Sequence, residues 1–168
     1  MFSANDLVVY PAQGVGRVER IDSREVGGTH CDFYIVRIRA NNITLMVPVS
    51  NADHVGLRTL ISPDAAEAIL AALRENTAET VYSGQNWNRR FREYSERLKD
   101  QDLAVVARVL RELLLIGMGK ELSFGERRLL EQAMSLVTGE IGEVLRQDPE
   151  DIRRGLLEHY APAGCGQQ

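Results

Sequence analysis

The hydrophobic residues of this chain change their spacing near residue 60, and this change constrains the fold more than any other feature. Between residues 7 and 58, apolar and polar residues alternate in short runs, as in Arg17–Ile21, which is the period of a β-strand. From Ser62-Pro63-Asp64 onward, apolar residues recur at helical spacing. That tripeptide itself is typical of a helix start, with a capping serine, a proline at the first position and an acid in the first turn. The sequence therefore predicts an α+β protein of two domains, with the β domain first.

The first domain is predicted to be a small, bent antiparallel sheet or open barrel of five strands. The predicted strands are Leu7–Tyr10, Arg17–Ile21, Phe33–Ile38, Ile43–Val49 and Val55–Arg58. Gly27-Gly28 supplies the positive φ angles of a tight hairpin turn. Pro48 cannot donate a hydrogen bond to a neighbouring strand, so the fourth strand should lie at an edge or end there. Such an edge is either covered by a loop of the same protein or used by a partner that adds a strand, and the sequence leaves both open.

After a helix that begins at Ser62 and a linker, residues 85–160 are predicted to form a compact all-helical domain of about five helices. Ser123 and Glu126 form a capping box, in which each side chain satisfies a backbone donor at a helix start. Gly139 is expected to interrupt the helix that follows, leaving a short helix over residues 140–146. We assign residues 1–60 to the β-rich domain, 61–84 to a helix and linker, 85–160 to the helical domain, and 161–168 to a disordered tail.

The sequence carries no signature of a membrane protein or of an enzyme. No apolar run approaches the roughly 20 residues that span a bilayer, and the N-terminus lacks a cationic region followed by an apolar one. We therefore expect a cytoplasmic protein, in which Cys31 and Cys165 are reduced thiols. The three histidines have no metal-ligand spacing, and no nucleophile elbow or phosphate-binding loop is present. We expect no catalytic residue, no metal and no cofactor.

The segment from Gln85 to Lys99 combines aromatic and basic residues and contains the only tryptophan of the chain. Its apolar side chains fall on one stripe of a helix, which is formed by Trp87, Phe91, Tyr94 and Leu98. The chain has a net charge of −4, but residues 81–130 carry ten basic and seven acidic groups. The positive excess is therefore local, and it is small enough that DNA binding by this protein alone should be weak and salt-dependent.

Two interpretations of this segment are open from the residues alone. In the first, the helix has an aromatic core stripe and a solvated basic face. In the second, Phe91, Tyr94 and Leu98 are buried while Trp87, in the first turn, overhangs the edge of the core. An exposed indole beside guanidinium groups suits nucleic acid, because the cations meet phosphates and the ring can wedge against a base step. Residues 131–168 carry three basic and seven acidic groups. This net negative charge favours a further alternative, in which the helical domain recruits another protein and not DNA.

Five segments of the chain, taken together, are similar to a known protein family. In chain order they are Val9–Gly16, Met46–Pro48, Val55–Arg58, Trp87–Tyr94 and Leu122–Arg127. They resemble the CarD/CdnL family of bacterial transcription regulators, which bind RNA polymerase. The similarity runs in order from about residue 4 to residue 158, which is nearly the whole chain.

This resemblance implies a Tudor-like N-terminal module that adds its edge strand to the β subunit of RNA polymerase. It also implies a helical module that contacts promoter DNA at the upstream edge of the −10 region, where a tryptophan wedge stabilises the open complex. The positions that match the DNA side are Trp87, Arg89, Arg92 and Arg127, and we add Arg90 because it flanks the aromatic stripe. The positions that match the polymerase side are Arg24, Met46 and Pro48. Some family members carry arginine where this chain has Met46, so a salt-bridged contact is expected to be apolar here. We expect a monomer that is associated with the nucleoid through RNA polymerase.

Overall fold

The structure, a computed structural model, describes residues 1–75 and 87–161, and for Trp87 it describes the backbone alone. The chain divides into two units, Met1–Leu60 and Ile61–Gln168. Each unit has its own core of buried hydrophobic residues. The predicted α+β class, with a β module followed by a helical module, is confirmed. The predicted linker over residues 76–84 lies outside the described residues, and so does the predicted tail beyond residue 161.

The β unit contains a four-stranded antiparallel sheet in the order β1-β2-β3-β4. Its strands are β1 (Leu7–Tyr10), β2 (Gly14–Val26), β3 (Thr29–Ile38) and β4 (Thr44–Pro48). The predicted hairpin turn is present between β2 and β3, where Gly27 and Gly28 have φ angles of 59° and 80°. In β2, the pairing register with β3 shifts between Val18 and Arg20. Such an irregularity bends a strand and increases its twist, which helps a small sheet to curl around its core.

The predicted fifth strand, Val55–Arg58, is wrong. A short helix, α1 (Ala52–Val55), lies there instead and ends at Gly56, which has a φ angle of 84°. The Gly56 N–H donates back to the Asp53 carbonyl, which closes a helical turn and interrupts the alternation expected of a strand. Only Arg58 reaches the sheet, through an isolated antiparallel bridge to Val9 in β1.

Within its described part, the helical unit consists of five helices. They are α2 (Pro63–Leu73), α3 (Trp87–Arg97), α4 (Leu103–Gly119), α5 (Phe124–Leu145) and α6 (Pro149–His159). The two longest, α4 and α5, pack against each other, α2 and α3 each pack on both of them, and α6 packs on α5. None of these helices combines the length and the apolar character that crossing a membrane requires.

The helix starts are as predicted, but the interruption at Gly139 is wrong. Ser62 caps α2, and Ser123 and Glu126 form the predicted capping box at the start of α5. The helix α5 then continues without a break through Gly139 to Leu145. A glycine inside a helix costs only about 1 kcal/mol relative to alanine. Burial of the flanking residues Val137 and Ile141, both 0% exposed, outweighs that cost.

Candidate functional site

The buried face of α3 is rotated relative to the predicted stripe. Tyr94 and Leu98 are buried as predicted, with exposures of 2% and 1%, but Phe91 is 40% exposed and Arg90 only 8%. At about 100° per residue, Arg90 and Leu98 lie about 40° to either side of Tyr94, whereas Phe91 lies about 60° away. The predicted burial of Phe91 is therefore wrong, because the residue lies at the edge of the buried face and Arg90 lies within it. The side chain of Trp87, the first residue of α3, lies outside the described residues.

The other three predicted DNA-side arginines are at the surface. Arg89 lies 3.3 Å from the carboxylate of Glu93, and Arg127 lies 2.7 Å from that of Glu121. Arg92 is exposed and makes no ion pair with the residues that the structure describes. Ion pairs between exposed side chains are worth only about 0–1 kcal/mol. Exchanging such a carboxylate for a phosphate therefore costs little, so all three guanidinium groups are available to an anionic partner.

The start of α5 is fixed by a buried carboxylate. Glu126 accepts hydrogen bonds from the Ser123 backbone N–H at 2.9 Å and from the Lys120 ammonium at 3.1 Å, and the Glu126 N–H donates to the Ser123 hydroxyl. Burial of the Glu126 carboxyl opposes its ionisation, but these hydrogen bonds and the positive charge of Lys120 outweigh burial and hold its pKa below the usual value. The ionised side chain therefore orients the first turn of α5.

That first turn presents an aromatic residue to solvent which the sequence interpretation missed. Phe124, the first residue of α5, is 84% exposed, and Arg127 and Arg128 in the same turn are exposed as well. At 100° per residue, Phe124 lies about 160° from Glu126 and about 140° from Leu129, both of which are buried. The spacing could have revealed this residue, because it puts Phe124 on the face of α5 that is opposite the core.

In the β unit, cross-strand pairing puts the three predicted polymerase-side residues on one face of the sheet. The pairs are Arg24 with Cys31, Pro48 with Phe33, and Met46 with Ile35. Directly opposed residues share a face, and so do residues two apart on one strand. The β3 residues of these pairs, at positions 31, 33 and 35, are two apart and so share one face. Arg24, Met46 and Pro48, which lie opposite them, are therefore on that face as well. Tyr34 and Val36, which point the other way, form part of the core.

The predicted edge position of the fourth strand is confirmed, since β4 pairs with β3 alone among the described strands. On the face just defined, Met46 is 44% exposed and Pro48 is half-buried. The side chain of Arg24 is 55% exposed, and its nearest carboxylate, that of Asp22, lies 3.9 Å away. We call these three residues and Phe33 the sheet surface; it combines apolar groups, a cation and an open strand edge.

Other chemistry is sparse in the described part of the chain. The described residues contain no group of three or more histidine, cysteine or acidic side chains that could hold a metal ion. Cys31 is a free, half-buried thiol, and Cys165 lies outside the described residues.

Comparison with known proteins assigns a family to both units. The family model for the CarD C-terminal domain matches residues 68–156, and the model for the CarD-like/TRCF RID domain matches residues 2–61. The chain is 25% identical over 146 residues to the "Putative transcription factor YdeB" of Bacillus subtilis (strain 168), covering 87% of this chain and 93% of that protein. A solved structure, "CdnLNt from Myxoccoccus xanthus", is 44% identical and covers 37% of this chain and 87% of that chain, with a TM-score of 0.32.

The two family models follow one another in the same order as the two units of the structure. The C-terminal model alone spans more than half of the chain. The resemblance predicted from the five sequence segments is confirmed, and the chain belongs to the CarD/CdnL family of transcription regulators.

Proposed function

We propose that this protein binds the β subunit of RNA polymerase through its sheet surface and stabilises the open promoter complex through its helical unit. Trp87 acts as a wedge at the upstream edge of the bubble, and basic residues beside it hold phosphates. The observation that carries the proposal is the anchoring of α3. Tyr94 and Leu98 hold this helix in the core, while Arg89 and Arg92, within two turns of Trp87, remain exposed.

Docking on polymerase uses two properties of the β unit. The open edge of β4 offers backbone donors and acceptors to a strand of the partner, a mode in which the main chain supplies affinity and the side chains supply specificity. The side chains are those of the sheet surface, where Met46 gives an apolar contact and Arg24 gives a cation. The partner strand should therefore carry an apolar residue, with an acidic residue close to Arg24.

The proposed DNA contact combines the starts of two helices. Short connections join α3 to α4 and α4 to α5, and helices joined in this way are usually antiparallel neighbours. The first turns of α3 and α5 are then expected at the same end of the helical unit. We assign Arg89, Arg92 and Arg127 to phosphates and Phe124 to an additional contact with the sugar or base. Arg90 is left out of the contact, because the residue is only 8% exposed.

The energetics agree with a protein that acts only when it is bound to polymerase. A small local excess of positive charge gives weak binding to free DNA, whereas a tether raises the effective DNA concentration to roughly millimolar. Loss of one aromatic contact with an unpaired base costs about 1–3 kcal/mol, which corresponds to about five- to 150-fold in the lifetime of the bubble. The decay of open complexes at one promoter, measured with wild-type protein and with Trp87→Ala, tests the proposal.

The exposed ring of Phe124 also favours a second candidate function. An aromatic side chain with 84% exposure suits a protein partner as well as DNA, so the helical unit would then be an adaptor. Tryptophan fluorescence separates the two functions. A change seen only when polymerase and fork-junction promoter DNA are both present favours the DNA contact, and a change with polymerase alone favours the adaptor. In either case, we propose a non-enzymatic, cytoplasmic protein that works as a monomer without a cofactor.

A further inference from the structure

The chain passes from the β unit to the helical unit through a very short connection, which is anchored at both ends. On the β side, the Arg58 N–H donates to the Val9 carbonyl at 3.1 Å, and the Val9 N–H donates to the Arg58 carbonyl at 2.7 Å. On the helical side, the Ile61 N–H donates to the Glu140 carboxylate at 2.9 Å. Only Thr59 and Leu60 lie between the two anchored residues.

The anchor on the helical side is built into the core. Glu140 lies on α5, 79 positions from Ile61, and is 1% exposed. A carboxylate is costly to bury unless hydrogen bonds satisfy it, so its contact with a backbone N–H is a specific feature and not a chance surface pair. The next residue, Ser62, accepts a hydrogen bond from the Ala65 N–H at 3.1 Å and begins α2. Residues 61 and 62 are therefore both fixed to the helical unit.

We propose that residues 58–61 are a spacer of set length and that Glu140 is its positioning residue. This inference rests on the proposed function, since a spacer would limit how far the DNA contact can lie from the polymerase contact. From Arg58 to Ile61 there are three peptide steps, so the two anchored Cα atoms lie at most about 11 Å apart. Each added residue raises this upper limit by about 3.3–3.6 Å.

A spacer and a flexible tether respond differently to a small insertion. Two added residues lengthen the connection by up to about 7 Å. This exceeds the roughly 4–4.5 Å over which side chains make contact, so a wedge at a defined base step would be displaced. A tether that only raises local concentration would lose about twofold in effective concentration.

The test is insertion of Gly-Ser between Thr59 and Leu60 in the full-length protein. This insertion leaves the hydrogen bonds of Arg58 and Ile61 in place, so capture of a purified β fragment and thermal unfolding should be unchanged. The half-life of open complexes formed by holoenzyme at one promoter should fall to the value seen with Trp87→Ala. The matched control is the same dipeptide inserted after Ala161, beyond the last helix, which should retain the full wild-type effect.

A half-life within about twofold of wild type for the Thr59–Leu60 insertion would overturn the spacer and support a simple tether. Wild-type protein that does not extend the half-life at all would overturn the proposed function, and the spacer with it. The comparison of wild type with no protein therefore separates the two failures.

Substitution of Glu140 tests the positioning residue. Gln keeps an oxygen that can accept from the Ile61 N–H, so Glu140→Gln should retain the half-life extension, whereas Glu140→Leu should lose it. Full extension with a folded Glu140→Leu protein would remove Glu140 from the inference. If Glu140→Leu does not fold, the insertion still tests the spacer, and loss of the extension in a folded Glu140→Gln protein removes Glu140 from the inference.

Discussion

Pro48 lies directly opposite Phe33 in the ladder between β3 and β4. The same face of the sheet carries Met46, opposite Ile35, and Arg24, opposite Cys31. A proline at this position leaves a gap in the donors of the strand edge, so a partner strand must align its own hydrogen bonds with the donors before Pro48. The proline thus limits the register in which a second protein could add a strand to β4.

Reversal of charge at Arg24 should weaken the proposed polymerase contact. Arg24→Glu puts a carboxylate beside Asp22 and removes the only cation of the sheet surface. We expect about a tenfold higher Kd for a purified β fragment, equal to about 1.4 kcal/mol, measured by calorimetry or biolayer interferometry. The control is Arg154→Glu, an equally large charge change at an exposed site on α6. Equal Kd values for Arg24→Glu and wild type would exclude Arg24 from the interface.

The basic residues near Trp87 should contribute to DNA binding through phosphates. Arg92→Ala or Arg127→Ala should weaken binding of the full-length protein to fork-junction promoter DNA and lower the slope of log affinity against log salt by about one. Arg154→Ala, at an exposed site on α6, serves as the control and should leave the slope unchanged. A slope that is the same for all three variants and wild type would show that these arginines do not meet phosphates.

The exposed ring at the start of α5 should matter for function and not for folding. Phe124 is 84% exposed, so Phe124→Ala removes little buried surface and should leave the unfolding temperature within experimental error. If Phe124 contacts DNA, the same change should shorten the open-complex half-life. Unchanged half-life and unchanged capture of any protein partner would assign no function to the ring.

Two glycines of α5 should respond in opposite directions to alanine. A Cβ atom at Gly139 would meet nothing within 4 Å, whereas one at Gly142 would lie 2.8 Å from the Gln147 carbonyl oxygen and 3.1 Å from Pro149. Gly139→Ala should therefore stabilise the protein by about 0.5–1 kcal/mol through helix propensity. Gly142→Ala should destabilise it, because a backbone atom cannot move aside easily. Urea unfolding of the two variants checks both signs, and a gain in stability for Gly142→Ala would contradict the packing described at the end of α5.

The capping box at α5 should make stability depend on pH in the acid range. The pKa of Glu126 is lowered in the folded protein from a usual value of 4.5. Its stabilising contribution is therefore fully present above pH 4.5 and is lost as the pH falls through the lower folded pKa. Glu126→Gln keeps an acceptor for the Ser123 N–H but removes the negative charge that meets Lys120, so it should cost about 1 kcal/mol at pH 7. The difference between the variant and wild type in urea unfolding should shrink as the pH falls below 4.5, and a difference that grows would contradict the ionised cap.

Most of the architecture follows from local sequence signals. These signals depend only on residues that are close in the sequence, so they could be recognised there. They are the hydrophobic period, the Gly27-Gly28 turn and the caps at Ser62 and Ser123. Pro48 indicated an edge strand for the same reason. The fifth strand was wrong because Gly56 adopts a left-handed conformation that closes a helical turn, and the four residues Val55–Arg58 do not reveal this conformation.

The candidate site was only partly predictable, because it depends on how elements pack. The shared face of Arg24, Met46 and Pro48 depends on the register shift between Val18 and Arg20, which changes the face of every later residue in β2. Arg90 is buried and Phe91 is exposed because of the way α3 is rotated against α4 and α5. A helical wheel does not determine this rotation. Phe124, in contrast, could have been found from its spacing to Leu129.

We propose that Trp87 holds open a promoter bubble while the β unit keeps the protein on polymerase. The most direct measurement is the half-life of open complexes at one promoter after addition of a competitor, with no protein, wild-type protein or Trp87→Ala. Wild-type protein should lengthen the half-life, and Trp87→Ala should shorten it again by about five- to 150-fold with an unchanged Kd for the β fragment. Equal half-lives for the variant and wild type would contradict the wedge.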